Sequence, residues 1–409
     1  MSRQRIAIIG AGMSGLLAAY FAKRQGHSVQ VFESQERAGG WVQSERIENR
    51  LYERGAQTLL ADSDWLELLK ELNLVPIEAS TRHRSRFIWK NEKRCQAPLG
   101  FILFLKSDLF SFKAKARLLT EIFRTTKISE TDLNLANFFE RIFHRDIVDY
   151  ALDPFVGGIF AGSIHDLSAK SCFPRIWDGI QEKGSVFRSL LFKSRSPQKK
   201  LISFKNGIQE ITEALQKNIG SVDLQHSIGH LPQGFDQYIL ATPAGEAAKF
   251  LDAKISAESS HFLKSIPYRR VAIWQTVFDR PENFKSGFGC LIPRKEGQAL
   301  LGSLWTSEIF EGRCSKDELL TTQFFSGSDI PSDPLIHLPF LQKVLGIQSQ
   351  PKVSYFKIYE RAIPQFEIYH RDKVQKLRSE LPASISLVGN YLDGVGLSDV
   401  LTTAKRLFE

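Results

Sequence analysis

Arg5-Ile6-Ala7-Ile8-Ile9, Gly10-Ala11-Gly12-Met13-Ser14-Gly15 and, after an amphipathic run, Val29-Gln30-Val31-Phe32-Glu33 decide the fold of this chain. The first apolar run reads as a buried parallel strand that ends at Gly10. The glycines then allow a tight turn and a close approach of backbone to a dinucleotide pyrophosphate, whose charge meets the free N–H groups at the next helix N-terminus. Leu16, Leu17, Ala19, Tyr20 and Ala22 continue that helix, Gly26 stops it, and Ser28 to Phe32 returns as a second parallel strand. Glu33 closes the unit, placed to accept hydrogen bonds from an adenosine ribose. A glycine turn of this spacing is a weak signal alone, and here it arrives with strand, helix, strand and terminal acid in order.

The stretch continues as Glu36-Arg37-Ala38-Gly39-Gly40-Trp41. Glu33, Arg37, Gly39 and Gly40 form an E-x-x-x-R-x-G-G pattern that resembles flavoproteins of the glutathione-reductase and amine-oxidase type. That resemblance moves the expected cofactor from NAD to FAD, with Arg37 a candidate charge partner for its phosphates.

At 409 residues with 43% hydrophobic content, the chain has length for two or three domains with sizeable cores. Its N-terminus is taken up by the dinucleotide unit rather than a secretory signal, and no uncharged apolar run approaches a membrane span, so a cytoplasmic or peripheral location is expected. Cys95, Cys172, Cys290 and Cys314 are scattered, which points to buried or inert thiols rather than to disulfides or zinc. A formal charge of +9 and pI near 9.2 invite an anionic partner. The basic residues are dispersed apart from Arg82 to Arg86 and Lys193 to Lys200, with no nucleic-acid module, so anionic lipid and an acidic small molecule fit better than nucleic acid.

Farther along, Asp62 to Leu74 reads as a short amphipathic helix, and Arg86 to Cys95 as a hairpin turning at Lys90 to Lys93. From Pro98 to about Arg195 the pattern is helical. It opens with Leu99 to Leu105, an apolar run that suits either a membrane interface or a buried core helix. Ser194 to Lys200 is the best linker candidate. Leu201 to Lys205 and Gly207 to Leu215 follow as strand and helix, Ser221 to Leu224 as a short strand, and Tyr238 to Ala244 as a buried strand ending in a turn. Val271 to about Phe325 is mostly strand-like, and Ser384 to Val388 is a final strand before a helix from about Leu397. Both chain ends therefore look like pieces of one discontinuous dinucleotide domain.

Several blocks together resemble the oxygen-dependent protoporphyrinogen oxidase family, within the amine-oxidase-like superfamily, across nearly the whole chain. They are Tyr52 to Thr58, Pro154 to Gly162 with Leu167-Ser168 and Phe173 to Trp177, Ser203 to Gly207, Gly287 to Glu296, Leu301 to Trp305, Ala362 to Gln365 and Gly389 to Leu397. The F-G-x-L-I-P block at 288–293 and the P-F-V-x-G-x-x-A-G block at 154–162 are more selective than the glycine loop. The chain departs from the family in having Ala56-Gln57 where many members carry proline and a basic residue, and in lacking alanine-proline after Arg313.

The resemblance implies an α/β fold: a discontinuous Rossmann-like FAD-binding domain, a mostly β substrate domain and an inserted helical lobe that associates with membrane. The expected division is FAD-binding at 1–77, 196–252 and 376–409, substrate-binding at 78–98 and 253–375, and helical lobe at 99–195. Flavin contacts carried over by motif are Gly10, Ala11, Gly12, Met13, Ser14, Gly15, Glu33, Ser34, Arg37, Gly39, Gly40, Trp41, Gly55, Ala56, Gln57, Thr58, Val222, Asn390, Val395, Gly396 and Leu397. For substrate, Arg86 matches the arginine that pairs with a porphyrinogen propionate, a role for which Arg82, Arg84 and Lys90 compete. Leu291, Leu304 and Phe324 match apolar positions that sandwich the macrocycle. The implied reaction is oxidation of protoporphyrinogen IX through the flavin, with no side chain as catalyst and molecular oxygen as acceptor. The implied location is the cytoplasm, peripheral on the inner face of the membrane. Coproporphyrinogen III as substrate, a related amine oxidase or desaturase, a flavin-binding protein without turnover, and the oligomeric state all stay open.

Overall fold

The structure is a computed structural model that describes residues 3–81, 85–121, 125–126, 128–186 and 199–409. The linker expected at Ser194 to Lys200, and the domain limit at 195/196, lie for the most part outside the described residues, as do Arg82 and Arg84. The chain divides into two compact units, one made of Met1–Ala79, Pro197–Pro267 and His370–Glu409, the other of Ser80–Ser196 and Tyr268–Tyr369.

The first unit is built on a five-stranded parallel sheet in the order Val222–Asp223, Ser28–Phe32, Arg5–Ile9, Gln237–Leu240, Ile385–Leu387. Its central strand, Arg5–Ile9, buries every residue after the first, which is why it reads as a continuous apolar run rather than an alternating one. Helix Met13–Arg24 crosses back over the sheet and stands at the centre of the core. Leu16 and Leu17 meet Ile211, Leu215 and Ile219 of helix Gln209–Ile219, and Val400, Leu401 and Ala404 of helix Leu397–Arg406. The last helix of the chain thus closes the core begun by the first. Helix Ser63–Glu71 joins them through Trp65, Leu68 and Leu69, with Asp62 at its N-cap accepting the Trp65 N–H at 3.2 Å.

The second unit carries a seven-stranded mixed sheet in the order Val353–Pro364, Tyr268–Asp279, Glu318–Ser326, Gly302–Leu304, Gly289–Leu291, Arg86–Lys90, Lys93–Gln96. The expected hairpin is present: Arg86–Lys90 pairs antiparallel with Lys93–Gln96, and Asn91 and Glu92 turn the chain with φ of 50° and 61°. One face of the sheet packs Trp89, Trp274, Cys290 and Phe325 against the helix Leu338–Leu345. On the other face, Ile88 and Leu291 meet Leu109, Phe110, Ala114, Ile147 and Tyr150 of the helical lobe. Burial pushes the Cys290 thiol up to about 12, so this cysteine is an inert packing group.

Two expected limits move. The first unit extends past 252 to Pro267 because helix Ala257–Ser265 packs on Ala244–Leu251. It resumes at His370 rather than 376 because helix His370–Glu380 packs on Ala257–Ser265, with the Phe262 and His370 rings edge to face at 5.3 Å. The helical lobe does not stand apart from the β substrate region but shares its compact unit. The 12-residue strand Val353–Pro364 is not foreseen from sequence, since as an edge strand it leaves Lys357, Glu360 and Arg361 exposed and carries no apolar run. Replacing Asp62 by alanine should remove the cap of helix Ser63–Glu71 and cost about 1 kcal/mol in urea unfolding. An unchanged midpoint would show that the cap is idle.

Candidate functional site

In the first unit, the Gly10 N–H binds the Phe32 carbonyl at 2.8 Å, and φ of +103° at Gly10 swings the chain into the turn. A Cβ on Gly15 would lie 1.9 Å from the Gly10 carbonyl oxygen, so only glycine lets helix Met13–Arg24 sit this close to its strand. Gly12 is different. It is the N-cap, no side chain caps the helix, and a Cβ there would meet nothing within 4 Å. A helix start without a side-chain cap, with open space at Gly12, suits a pyrophosphate.

The Glu33 carboxylate lies against this turn, with Oε2 accepting the Ala11 N–H at 2.7 Å and Oε1 accepting the Gln35 N–H at 2.9 Å and the Ser34 hydroxyl at 3.3 Å. Val222 pairs with Val31 on the neighbouring strand, and the Glu33 N–H binds the Asp223 carbonyl at 2.9 Å, so Val222 and Glu33 share one end of the sheet. The Gly39 N–H reaches the Ala11 carbonyl at 2.7 Å, and a Cβ on Gly40 would come within 3.2 Å of the Gly12 Cα, bringing the second doublet onto the first turn. Arg37 donates to the carbonyls of Ala38 at 3.0 Å, Gly40 at 2.6 Å and Val42 at 3.3 Å. The expected phosphate partner therefore shapes the doublet loop. Beyond it, Trp41 is exposed, and a Cβ on Gly55 would lie 1.8 Å from the Trp41 carbonyl oxygen. The half-buried Gln57 donates to the carbonyls of Glu53 and Gly55, while its Oε1 is buried without a partner among the described residues. Ala56 and Thr58 are half-buried beside it.

At the far end of the chain, Asn390 follows the final strand, and Val395 and Gly396 lead into helix Leu397–Arg406, whose N-cap is Gly396. Two residues that sequence reasoning did not single out hold this segment. His370, buried and pushed down to about 4 chiefly by that burial, stays neutral and donates from Nε2 to the Tyr391 carbonyl at 2.8 Å. Arg378 pairs with Asp393 through both carboxylate oxygens, at 2.9 and 2.5 Å. Glu53 was likewise missed: it is buried, accepts the Ser44 hydroxyl at 2.5 Å and the Ile208 N–H at 3.1 Å, and together with Ser44 leaves no room for a Cβ on Gly207. The glycine turn, its uncapped helix, the carboxylate beside it and the buried Gln57 acceptor together fit a flavin dinucleotide.

The expected substrate residues all fall in the second unit and on one face of its sheet. Arg86 stands opposite Gly289, Gly289 opposite Leu304, and Leu304 opposite Thr322. Two residues along, Ile88, Leu291, Gly302 and Phe324 form the parallel row. Because side chains alternate along a strand, Arg86, Leu304, Leu291 and Phe324 face the same way, opposite to Cys290 and Phe325. The three apolar residues are half-buried and Arg86 is exposed. Its guanidinium rests on the Phe288 ring at 4.8 Å and makes no ion pair or hydrogen bond among the described residues. Of its competitors, Lys90 is committed to the Leu109 carbonyl at 2.6 Å and lies over the Tyr150 ring at 4.5 Å. A free, stacked guanidinium at the edge of an apolar shelf suits a carboxylate on a flat hydrophobic ligand.

The Flavin containing amine oxidoreductase family matches residues 13–231. Protoporphyrinogen oxidase, mitochondrial, of Nicotiana tabacum is 26% identical, over 98% of this chain and 93% of its own length. Coproporphyrinogen III oxidase of Bacillus subtilis is 21% identical, over 98% of this chain and 97% of its own. Among solved structures, a candidate protoporphyrinogen oxidase from Exiguobacterium sp. 255-15 superposes with a TM-score of 0.82 at 21% identity, covering 100% of this chain and 98% of the other, which speaks for the fold alone.

Gly12→Ala tests the cradle separately from the fold. Its backbone, with φ of −67°, admits alanine and the space is open, so the entropic gain of Gly→Ala and the poorer N-cap oppose each other and stability should change by less than about 1 kcal/mol. Flavin content after purification, read by absorbance, should nonetheless fall. Wild-type flavin content in the variant would place the cofactor elsewhere.

Proposed function

Because this chain belongs to the flavin containing amine oxidoreductase family, a match that spans residues 13–231, we propose that it oxidises protoporphyrinogen IX to protoporphyrin IX with molecular oxygen as acceptor. FAD is its cofactor and, when bound, supplies the two-electron redox chemistry. The cradle residues described above would hold it, chiefly the turn Gly10 to Gly15, Glu33, the 55–58 loop and the 389–397 segment. The chain's own contribution is then to bind and orient the substrate.

The observation that carries the substrate assignment is the Arg86 guanidinium, without an ion pair or hydrogen bond among the described residues, on the same sheet face as Leu304, Leu291 and Phe324. A porphyrinogen is apolar over most of its area and carries propionates at one edge. An arginine fork fixes a propionate bidentately, and the apolar shelf takes up the pyrrole rings and removes water from them. Relatives named for protoporphyrinogen and for coproporphyrinogen III oxidation both cover nearly the full chain, and one arginine accepts a propionate of either. Flavin-loaded protein, given each porphyrinogen in air, should produce porphyrin fluorescence well above the spontaneous rate and faster with protoporphyrinogen. Bound FAD with no acceleration for either would overturn the assignment. Arg86→Ala should raise KM about tenfold or more, the scale of a lost charged hydrogen bond, with flavin retained. Loss of flavin instead would tie Arg86 to the cofactor.

We further propose that the helical lobe rests on anionic lipid. Helix Phe101–Lys106 buries none of its residues. Phe101, Ile102, Leu103 and nearby Phe112 are 51%, 68%, 55% and 84% exposed, while Phe104 packs on Phe110, and this one-sided exposure supports the interface reading of the run. Lys106 and Lys113 are exposed beside them, matching an anionic headgroup layer. No helix among the described residues is long and apolar enough to cross a membrane. The protein should co-sediment with phosphatidylglycerol vesicles more than with phosphatidylcholine, and Ile102→Asp with Phe112→Asp should release it. Equal binding of the double variant would exclude this face.

A further inference from the structure

The two most selective sequence blocks meet in the second unit through Leu291 and Gly158, and the residues that flank them add ion pairs to that contact. Three consecutive residues of the tight turn Arg294–Glu296, which follows strand Gly289–Leu291, reach three positions at the start of the opposing helix. Arg294 Nη1 pairs with Asp153 Oδ1 at 2.8 Å, Lys295 Nζ with Asp149 Oδ2 at 2.7 Å, and the Tyr150 hydroxyl donates to Glu296 Oε1 at 3.1 Å. Burial, with the Glu296 carboxylate beside it, pushes the Tyr150 hydroxyl up to about 12, so it remains a donor at neutral pH. Asp149 and Tyr150 lie in a π-helical turn, Val148–Leu152, that runs directly into helix Asp153–Phe160. Such turns are rare and concentrate at functional sites.

Arg294 also spans the helix. Its Nη2 donates to the Gly162 carbonyl at 2.7 Å, just beyond the C-cap, while its partner Asp153 opens the first turn. Both ends of an eight-residue helix are therefore held by one guanidinium. From the other side Gln365 donates to the Phe160 carbonyl at 2.9 Å and leaves no space for a Cβ on Gly162. The helix so fixed presents Gly158 to the substrate shelf: a Cβ there would touch the Leu291 methyl at 3.5 Å. Gly157 faces the Arg294 guanidinium at 3.4 Å in the same sense. Gly157 and Gly158 bring no side chains to this contact, so the Arg294 guanidinium and the Leu291 methyl come directly against the helix there.

We propose that Arg294 is a positioning residue for substrate: by clamping helix Asp153–Phe160 at both ends it fixes the wall beside Leu291, and so the affinity for a porphyrinogen, without acting on the chemical step. This rests on the porphyrinogen reading above. Arg294→Ala, with the milder Asp153→Asn in case the first variant folds poorly, is compared with wild type in two measurements on flavin-loaded protein. In steady-state oxidation KM should rise about tenfold with kcat within about twofold, the pattern of lost ground-state positioning. Arg294→Lys, which can keep the pair with Asp153 but not the second bond to the Gly162 carbonyl, should recover only part of that loss, and full recovery would overturn the two-ended clamp. In amide hydrogen exchange, residues 157–162 should exchange about tenfold faster in Arg294→Ala while the first unit is unchanged. Unaltered exchange, or faster exchange with unaltered KM, overturns the proposal, as does a fall in kcat at constant KM. If wild-type protein oxidises neither porphyrinogen, the functional reading fails and the exchange result alone decides the clamp.

Discussion

Helix Met13–Arg24 can lie on strand Arg5–Ile9 only because Gly15 has no side chain, a Cβ there falling 1.9 Å from the Gly10 carbonyl oxygen. Most of the first unit depends on that approach. The helix buries Met13, Gly15, Leu16, Leu17, Ala18, Ala19, Phe21 and Ala22, nearly its whole circumference, so it is a core element with other chain segments built around it. Helix Gln209–Ile219 and the terminal helix Leu397–Arg406 pack on it from distant parts of the sequence. The same approach leaves the helix start without a side-chain cap and with open space at Gly12. Core packing and anion binding are therefore two consequences of one short contact.

The second unit solves a different problem. Its sheet has one face committed to a dense core around Trp89, Trp274, Trp305 and Phe325. The opposite face displays half-buried Leu291, Leu304 and Phe324 and an exposed arginine. Where the helical lobe covers this face, polar contacts from Arg294, Lys295 and Glu296 act alongside apolar ones. Charged contacts have directions and lengths that hydrophobic contacts lack, and they suit a place where a wall must stand at a set distance.

The strands and helices with strong apolar periodicity were legible from sequence: Arg5–Ile9, Met13–Arg24, Ser28–Phe32, Ser63–Glu71 and the Arg86 hairpin all stand where the pattern places them. The edge strand Val353–Pro364 was not, because an exposed edge needs charge rather than apolar alternation. The ends of the first unit's segments were misjudged for a similar reason. Helices Ala257–Ser265 and His370–Glu380 reveal their allegiance only through each other, by Phe262 against His370 and Ser256 hydrogen-bonded to Glu380. His370 itself, one of nine histidines, carries no sequence signal, since its burial against the Tyr391 carbonyl joins positions that periodicity cannot relate. Arg37 shows the converse: its motif announced a phosphate partner, and its donors go to the backbone of its own loop.

Sequence alone determined that a dinucleotide binds and that its domain is built from both chain ends, because a glycine turn, a buried strand and a terminal acid are local devices whose spacing is written along the chain; FAD rather than NAD came through resemblance. It also nominated Arg86, Leu291, Leu304 and Phe324, through resemblance rather than through any property of the four residues. Only the tertiary structure decided that these four share one face, since that follows from strand register between segments more than two hundred residues apart. It alone showed how the three cations are engaged: Lys90 is occupied by a carbonyl and an aromatic ring, and Arg294 by an aspartate and a helix end, whereas Arg86 lies on Phe288 with no hydrogen bond or ion pair from its guanidinium among the described residues. A side chain's availability depends on what surrounds it, and those surroundings are assembled from the whole fold.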